Sequence, residues 1–145
     1  MKKVAGFLSA AVAVIGLSGC GGGGSDSYDH TYYLQTYDDY YDEYVGVPDV
    51  YYECGSYVGH TSSNGGFRMS DGDICTFFDL DDTVSYEYNI LYLGGNSSGT
   101  VGLADVEYSC DSGISGATDY DGAFSFDPDY INPDYPGDIC DFYFY

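Results

Sequence analysis

Basic residues are almost missing from this chain. Its 145 residues include only three lysines and arginines, at Lys2, Lys3 and Arg68, against 24 aspartates and glutamates. Binding of nucleic acid through phosphate contacts needs clustered Lys and Arg, so this scarcity excludes nucleic acid as a partner. The acidity has three readings: it keeps the protein soluble, it suits a salty habitat that screens self-repulsion, or it binds cations.

Groups that perform catalysis at neutral pH are also scarce. The chain has two histidines, His30 and His60, no tryptophan, and none of the G-x-S-x-G, H-E-x-x-H or phosphate-loop motifs. His30 has no second His or Cys at metal-ligand spacing, which argues against a zinc site there. Paired acids abound, and their abundance makes any one pair uninformative. We therefore expect a protein that is not an enzyme.

The N-terminus does carry a secretion signal. Lys2 and Lys3 precede an apolar run, Val4 to Leu17, that is too short to span a bilayer. It ends in LSGC, which resembles the lipobox of bacterial lipoproteins. The resemblance implies removal of residues 1–19, acylation of Cys20 and firm anchoring through several acyl chains. The alternative is an ordinary signal peptide with a chance cysteine.

The residue after the cysteine bears on location. Gly21 stands where an Asp would, in the lipoprotein family, favour retention in the inner membrane. The resemblance therefore implies a protein anchored by lipid in the bacterial envelope, at the outer membrane or the cell surface.

Residues 20–45 are predicted to hold the lipidated cysteine, a Gly-rich tether and a Tyr/Asp-rich segment. The segment from residue 28 reads YDHTYYLQTYDDYYDEYV, with tyrosines at three- and four-residue steps. Tyr and Asp are poor helix formers and no base offsets the acids, so we expect an extended or disordered, solvated stalk. The other readings are one short docked helix and an adhesive tyrosine surface.

The rest of the chain contains one pattern twice: D-V-x-Y-x-C, then T-x-x-[ND]-G-x-F, then G-D-I-C-x-F. The copies run from residues 49–77 and 105–142, and we place the repeats at 46–98 and 99–145. Alternating apolar residues in D-V-x-Y-x-C predict strands, and Asn64-Gly65 and Asp121-Gly122 predict tight hairpin turns. No segment has a capped helical pattern, so the expected class is an all-β sandwich. The sequence leaves open whether the repeats form one domain or two.

The cysteines fit an exported protein, in which disulfides are permitted. With Cys20 used by lipid, four remain and three pairings are open. The repeat favours Cys54–Cys75 and Cys110–Cys140, one disulfide inside each copy. A structural zinc bound by the four thiolates is the rival, but no C-x-x-C spacing occurs.

The second copy also resembles the carboxypeptidase-regulatory-like and transthyretin-like modules. The residues that carry this resemblance are Thr118, Asp119, Asp121, Gly122 and Phe124. The first copy keeps Thr61, Gly65 and Phe67 but has Ser62 and Asn64 at the acidic places. The resemblance implies a small, non-catalytic, Ig-like β-sandwich.

The copies differ most in the loop before the last motif. Phe124 and Gly137 are 13 positions apart, whereas Phe67 and Gly72 are 5 apart. The longer loop is rich in Asp and Pro, and calcium prefers six to eight oxygen ligands. The calcium hypothesis names Asp119, Asp121, Asp127, Asp129, Asp134 and Asp138. The alternative is a loop stiffened by proline with Asp turn caps.

Together these patterns favour a membrane-anchored surface lipoprotein that acts as a structural or interaction module, with an adhesive role as one form of it. The expected partners are the membrane, through the lipid, and other surface proteins or glycans. The alternatives are a calcium-binding module and a carbohydrate-binding module that uses surface tyrosines.

Overall fold

The computed structural model describes residues 29–131 and 137–144, and this part of the chain is all β. Its eleven strands are β1 (Asp29–Asp38), β2 (Glu43–Gly46), β3 (Tyr51–Cys54), β4 (Tyr57–His60), β5 (Gly66–Ser70), β6 (Ile74–Leu80), β7 (Ile90–Gly94), β8 (Glu107–Cys110), β9 (Ser115–Ala117), β10 (Ala123–Ser125) and β11 (Asp138–Tyr143). Within these residues no helix is long and apolar enough to cross a membrane.

The strands form two antiparallel sheets. The six-stranded sheet has the order β9-β8-β11-β6-β3-β4, and the five-stranded sheet has the order β10-β7-β1-β2, with β5 also paired to β1. β2 and β5 both lie along the same edge of β1. Where they meet, the N–H of Leu34 donates to the carbonyl of Gly65, and the carbonyl of Leu34 accepts from the N–H of Val47, both at 2.9 Å. The expected all-β sandwich of two repeats, each with its own internal disulfide, is confirmed.

Aromatic side chains fill the space between the sheets. Phe67 and Phe124 come from the five-stranded sheet, and Phe77 and Phe142 come from the six-stranded sheet. Phe67 meets Phe77 edge to face with ring centroids 4.9 Å apart, and Phe124 meets Phe142 at 4.6 Å. Each buried Phe contributes about 2–3 kcal/mol to the hydrophobic stabilisation of the core.

The two repeats are related by an approximate two-fold axis through both sheets. Leu34 of β1 lies opposite its counterpart Leu93 of β7. In the other sheet, Phe77 lies opposite Cys140, and Phe142 lies opposite Cys75. Exchanging each residue for its counterpart in the other repeat turns the first pair into the second, as a two-fold axis requires. Both sheets therefore cross the boundary between the repeats, which makes the described fold one domain rather than two modules.

The first strand of each repeat lies earlier than the sequence motifs suggest. Hydrogen bonds from Leu93 to Gly122 and from Leu103 to Leu93, both 2.9 Å, reproduce those that Leu34 makes in the first copy. The strand β7 therefore opens the second unit, whereas the sequence boundary at residue 98 assigns it to the first. The two units are referred to below as the first unit (β1–β6) and the second unit (β7–β11).

The Tyr/Asp-rich segment is not a solvated stalk, so that prediction is wrong for residues 29–46. It forms β1 and β2, and the side chains of Leu34, Gln35 and Thr36 are buried. β1 pairs with strands on both of its edges, and this tertiary pairing outweighs the lack of a clear alternating pattern. The predicted tether at residues 20–28 lies outside the described residues.

The turns at Asn64-Gly65 and Asp121-Gly122 form, but they do not make the expected two-stranded hairpins. Each turn joins a strand of the six-stranded sheet to a strand of the five-stranded sheet, β4 to β5 and β9 to β10. The turn dipeptide thus changes the chain from one layer to the other. Local sequence specifies the tight turn, while the layer that the next strand enters depends on the core.

Candidate functional site

Both predicted disulfides are present. Cys54–Cys75 and Cys110–Cys140 join residues that lie directly opposite each other on neighbouring strands of the six-stranded sheet, with Cα atoms 4.1 and 4.0 Å apart. The four sulfurs are consequently not free to bind zinc. Cys20, the predicted lipidation site, lies outside the described residues.

The repeated threonine is a structural residue in both units. The hydroxyl of Thr118 accepts a hydrogen bond from the N–H of Val106 at 2.9 Å and donates to Leu103 O at 2.6 Å. Thr61 makes the matching pair with Val50 and Val47, at 3.0 and 2.6 Å. Each threonine therefore satisfies two backbone groups in the segment that leads into β3 or β8.

The repeated tyrosine and aspartate are structural as well. The N–H of Ser125 donates to the hydroxyl of Tyr108 at 3.1 Å, as the N–H of Arg68 does to Tyr52 in the first unit. The carboxylate of Asp73 accepts from the N–H of Ser70 at 2.8 Å. The repeat signature is thus explained by folding, so differences between the units are the place to look for function.

Asp138 belongs to this structural set and not to an open metal site. It is fully buried, and its two oxygens accept hydrogen bonds from the N–H groups of Ser112, Asp127 and Ile139 and from the hydroxyl of Ser112, at 2.6–3.0 Å. A carboxylate engaged by four donors has little capacity left for a calcium ion.

Asp119 and Asp121 lie together in the turn that leads into β10. Asp119 Oδ1 accepts from the N–H of Ala123 at 3.1 Å, as does Asp121 Oδ1 at 3.3 Å. In the first unit the same places hold Ser62 and Asn64, whose side chains share a 2.6 Å hydrogen bond. The second unit therefore replaces a neutral pair with two acids.

The two acids influence each other's protonation. A hydrogen bond from Asp121 lowers the pKa of Asp119, whereas burial, followed by the hydrogen bond to Asp119, raises the pKa of Asp121. These opposite directions are those of a carboxyl pair that shares a proton.

The remaining calcium candidates do not join this pair. Asp127 Oδ1 accepts from the N–H of Asp129 at 3.0 Å, and Asp129 accepts from the hydroxyl of Tyr88, while Asp134 lies outside the described residues. Over residues 29–131 and 137–144, the one group of three close His, Cys, Asp or Glu ligand atoms is Cys110, Asp138 and Cys140, and its sulfurs form a disulfide. The described acids therefore do not assemble the expected calcium site.

A tyrosine surface, which the sequence suggested as an alternative for the stalk and for carbohydrate binding, lies on the five-stranded sheet and its turns. Tyr37 and Tyr44 lie opposite each other on β1 and β2 with rings 5.1 Å apart, and Tyr40 and Tyr41 in the turn between these strands are 83% and 69% exposed. Tyr120, in the turn of the second unit, is 86% exposed.

Acids surround this tyrosine surface, defined as Tyr37, Tyr40, Tyr41, Tyr44 and Tyr120. Burial, followed by the charge of Asp121 and an interaction with Tyr120, raises the pKa of Tyr44. The hydroxyl of Tyr37 donates to Asp42. The surface thus offers flat aromatic area together with phenol and carboxylate groups, a combination suited to contacts with proteins or sugars.

A groove of about 460 Å³ opens on the first unit. Its walls come from β1, from β2 with the segment that leads to β3, and from the end of β6 with the connection to β7. The lining residues are Thr36, Val45, Gly46, Val47, Pro48, Asp49, Val50, Phe78, Asp79, Asp81, Thr83, Val84, Ser85 and Tyr86. No motif in the sequence indicates it, because its lining is assembled from three separate segments.

Comparison of the chain with protein-family models, curated proteins and solved structures finds no match. The resemblances to lipoproteins and to transthyretin-like modules therefore rest on the sequence motifs described above.

Proposed function

We propose that this protein is a bacterial envelope lipoprotein, anchored through Cys20, that serves as a non-catalytic interaction module. The LSGC motif and the preceding apolar run support the anchor. The two disulfides support an oxidising compartment, in which such bonds persist. The exposed tyrosine surface is the observation that carries the interaction role.

The strand β1 gives the anchored protein an orientation. Eight residues separate Cys20 from Asp29, where β1 begins. β1 then extends for ten residues, which corresponds to about 30 Å of strand. The turn that bears Tyr40 and Tyr41 follows the end of β1 opposite to the proposed attachment point, which supports its role as the contact surface.

The chemistry of this surface favours partners that stack and donate hydrogen bonds. Tyrosine provides large contact area with little loss of side-chain entropy, and neighbouring carboxylates accept hydrogen bonds from amides or sugar hydroxyls. The acid excess also directs binding toward neutral or basic partners. Surface proteins are the first expectation, and glycans are the alternative.

Two experiments test the proposal. Mass spectrometry of the protein purified from its native membrane should show acylated Cys20, loss of residues 1–19 and both disulfides. Full-length protein with an unmodified Met1 would contradict the anchor.

For the interaction role, a variant with Tyr40, Tyr41 and Tyr120 changed to Ser should lose adhesion and partner capture, since it removes the exposed rings. Tyr88→Ser with Ile131→Ser, which changes exposed residues outside this surface, is the control. Equal adhesion of both variants would refute the role of the tyrosine surface. A glycan array distinguishes sugars from proteins as the bound class.

A further inference from the structure

The groove on the first unit contains an acid that the fold does not use. Asp79 lines it, and its Oδ1 is buried and accepts no hydrogen bond in the described part of the chain. A buried carboxylate oxygen without a donor costs about 1–3 kcal/mol or more, so such groups are rare and indicate a missing partner.

Asp79 lies in a β-bulge at the edge of the groove. In the pairing of β6 with β11, Asp138 faces Leu80 and Cys140 faces Phe77, so Phe78 and Asp79 together oppose Ile139. Asp79 has a φ of 58°, in the left-handed region. A bulge re-aims side chains, and bulges of this kind are enriched next to functional sites.

The other unit has no acid at the corresponding place in the sequence. Counting from the paired cysteines Cys75 and Cys140, the counterpart of Asp79 is Phe144, whose ring stacks on Tyr32 at 6.0 Å and packs on the core. The carboxylate is a specific feature of the first unit.

Within residues 29–131 and 137–144, the one arginine does not pair with Asp79. The side chain of Arg68 lies 3.4 Å from Asp29 and over the ring of Tyr57, so it is engaged elsewhere. The two lysines of the chain precede the cleavage site proposed above. Asp81 and Asp49 also line the groove and add negative charge. With residues 1–19 removed as proposed, we expect the positive group to come from outside the chain.

The rest of the lining defines the shape of the ligand. Val45, Val47, Pro48 and Val84 offer aliphatic walls, and Thr83 and Ser85 offer hydroxyls. The volume lies in the range of about 300–1,000 Å³ that is usual for small-ligand sites. An aliphatic stem that ends in a positive, hydrogen-bond-donating head matches these walls and the free carboxylate oxygen.

We propose that this groove binds an alkylammonium group, with the ammonium on Asp79 and the stem against the valines. The group comes either from a free aliphatic amine or from the lysine side chain of a partner protein. Burial, followed by the charge of Asp81, raises the pKa of Asp79, and a bound cation would reverse that shift. The proposal goes beyond the lipid anchor and the tyrosine surface, and it does not depend on either.

The test is an NMR titration of the mature chain, from residue 20 onward with Cys20→Ser. The probes are n-butylammonium, capped lysine amide and the neutral control n-butanol. We expect both amines to shift the amides of residues 45–50 and 79–86, and n-butanol to bind at least tenfold more weakly. Tighter binding of capped lysine than of n-butylammonium indicates a protein partner, and the reverse indicates a free amine.

Asp79→Asn should weaken amine binding at least tenfold, because it removes the charge while Asn tolerates the left-handed backbone. Asp79→Gly, which also tolerates this φ, is the second variant. Asp39→Asn, an equal charge change in an exposed turn, should alter the affinity less than twofold. Equal weakening by Asp79→Asn and Asp39→Asn, equal binding of n-butanol, or no shifts at the groove would overturn the proposal.

Discussion

Replacing Thr118 with Val tests whether the repeated threonine holds the second unit together. The side chain is 2% exposed, and valine has nearly its shape, so no cavity forms. The change leaves the N–H of Val106 and the carbonyl of Leu103 without their 2.9 and 2.6 Å partners. At about 1–3 kcal/mol for each unpaired group, partly relieved by water, we expect a loss of about 2–4 kcal/mol.

The matched variant is Thr61→Val, since Thr61 is 3% exposed and makes the same two bonds in the first unit. We expect a similar loss, and a fall of about 10–15 °C in Tm for each variant on the scale of a domain of this size. Because both sheets cross the two units, each variant should still unfold in one transition. Thr31→Val, on the exposed face of β1, is the control and should change stability by less than about 0.5 kcal/mol.

Chemical and thermal denaturation followed by circular dichroism, with the disulfides intact, gives these free energies. A loss for Thr118→Val no larger than that for Thr31→Val would show that the hydroxyl does not carry the backbone bonds described. Two separate transitions, with only the altered unit destabilised, would contradict the single-domain arrangement.

Three further predictions concern the disulfides, a glycine and an acid. Replacing Cys110 and Cys140 with Ser opens a loop whose ends are 30 residues apart in the sequence. In the chain-entropy model this should lower the free energy of unfolding by about 3–4 kcal/mol. A loss below about 1 kcal/mol in urea denaturation would contradict this prediction. Gly122→Ala should lower Tm more than Gly113→Ala. Both glycines have positive φ, but only a Cβ at Gly122 would meet backbone, 2.1 Å from a carbonyl oxygen. Equal Tm values for the two variants would refute this reason. The gain in stability from Asp121→Asn should grow as pH rises from about 4 toward neutral. The fold raises the pKa of Asp121, so the carboxyl of the unfolded chain loses its proton at a lower pH than that of the folded chain, and this difference destabilises the folded wild type. A gain that is the same at pH 3 and pH 7 would argue against this reason.

Much of the fold could be read from the repeated motifs. The alternation in D-V-x-Y-x-C predicted strands with Cys54 and Cys110 facing inward, and the pairing of each with the cysteine of its own copy is confirmed. These features are local or follow from comparing two copies of one pattern. The strand β1 was missed and β7 was assigned to the first copy, because Leu34 and Leu93 stand in surroundings that share no motif.

The candidate sites were harder to predict. Asp119, Asp127 and Asp138 are near in sequence and suggested one calcium site, but the fold directs them to a turn, a loop and a buried hydrogen-bond network. The groove around Asp79 had no sequence signal, since its lining comes from segments up to 50 residues apart, from Thr36 to Tyr86. A bulge that aims one side chain depends on the register of two strands, which local patterns do not specify.

By itself, the sequence determined the β class and the disulfide pairing, because each follows from residue types and from spacing within a short segment. The export signal and the exclusion of nucleic acid stay predictions. Only the tertiary structure decided that the two repeats share both sheets, that the tyrosine segment is β1 and β2 rather than a stalk, and that Asp79 remains without a donor in a groove. These depend on which strands pair over long distances in the chain. Such pairing is selected by burial of the whole aromatic core rather than by any one motif.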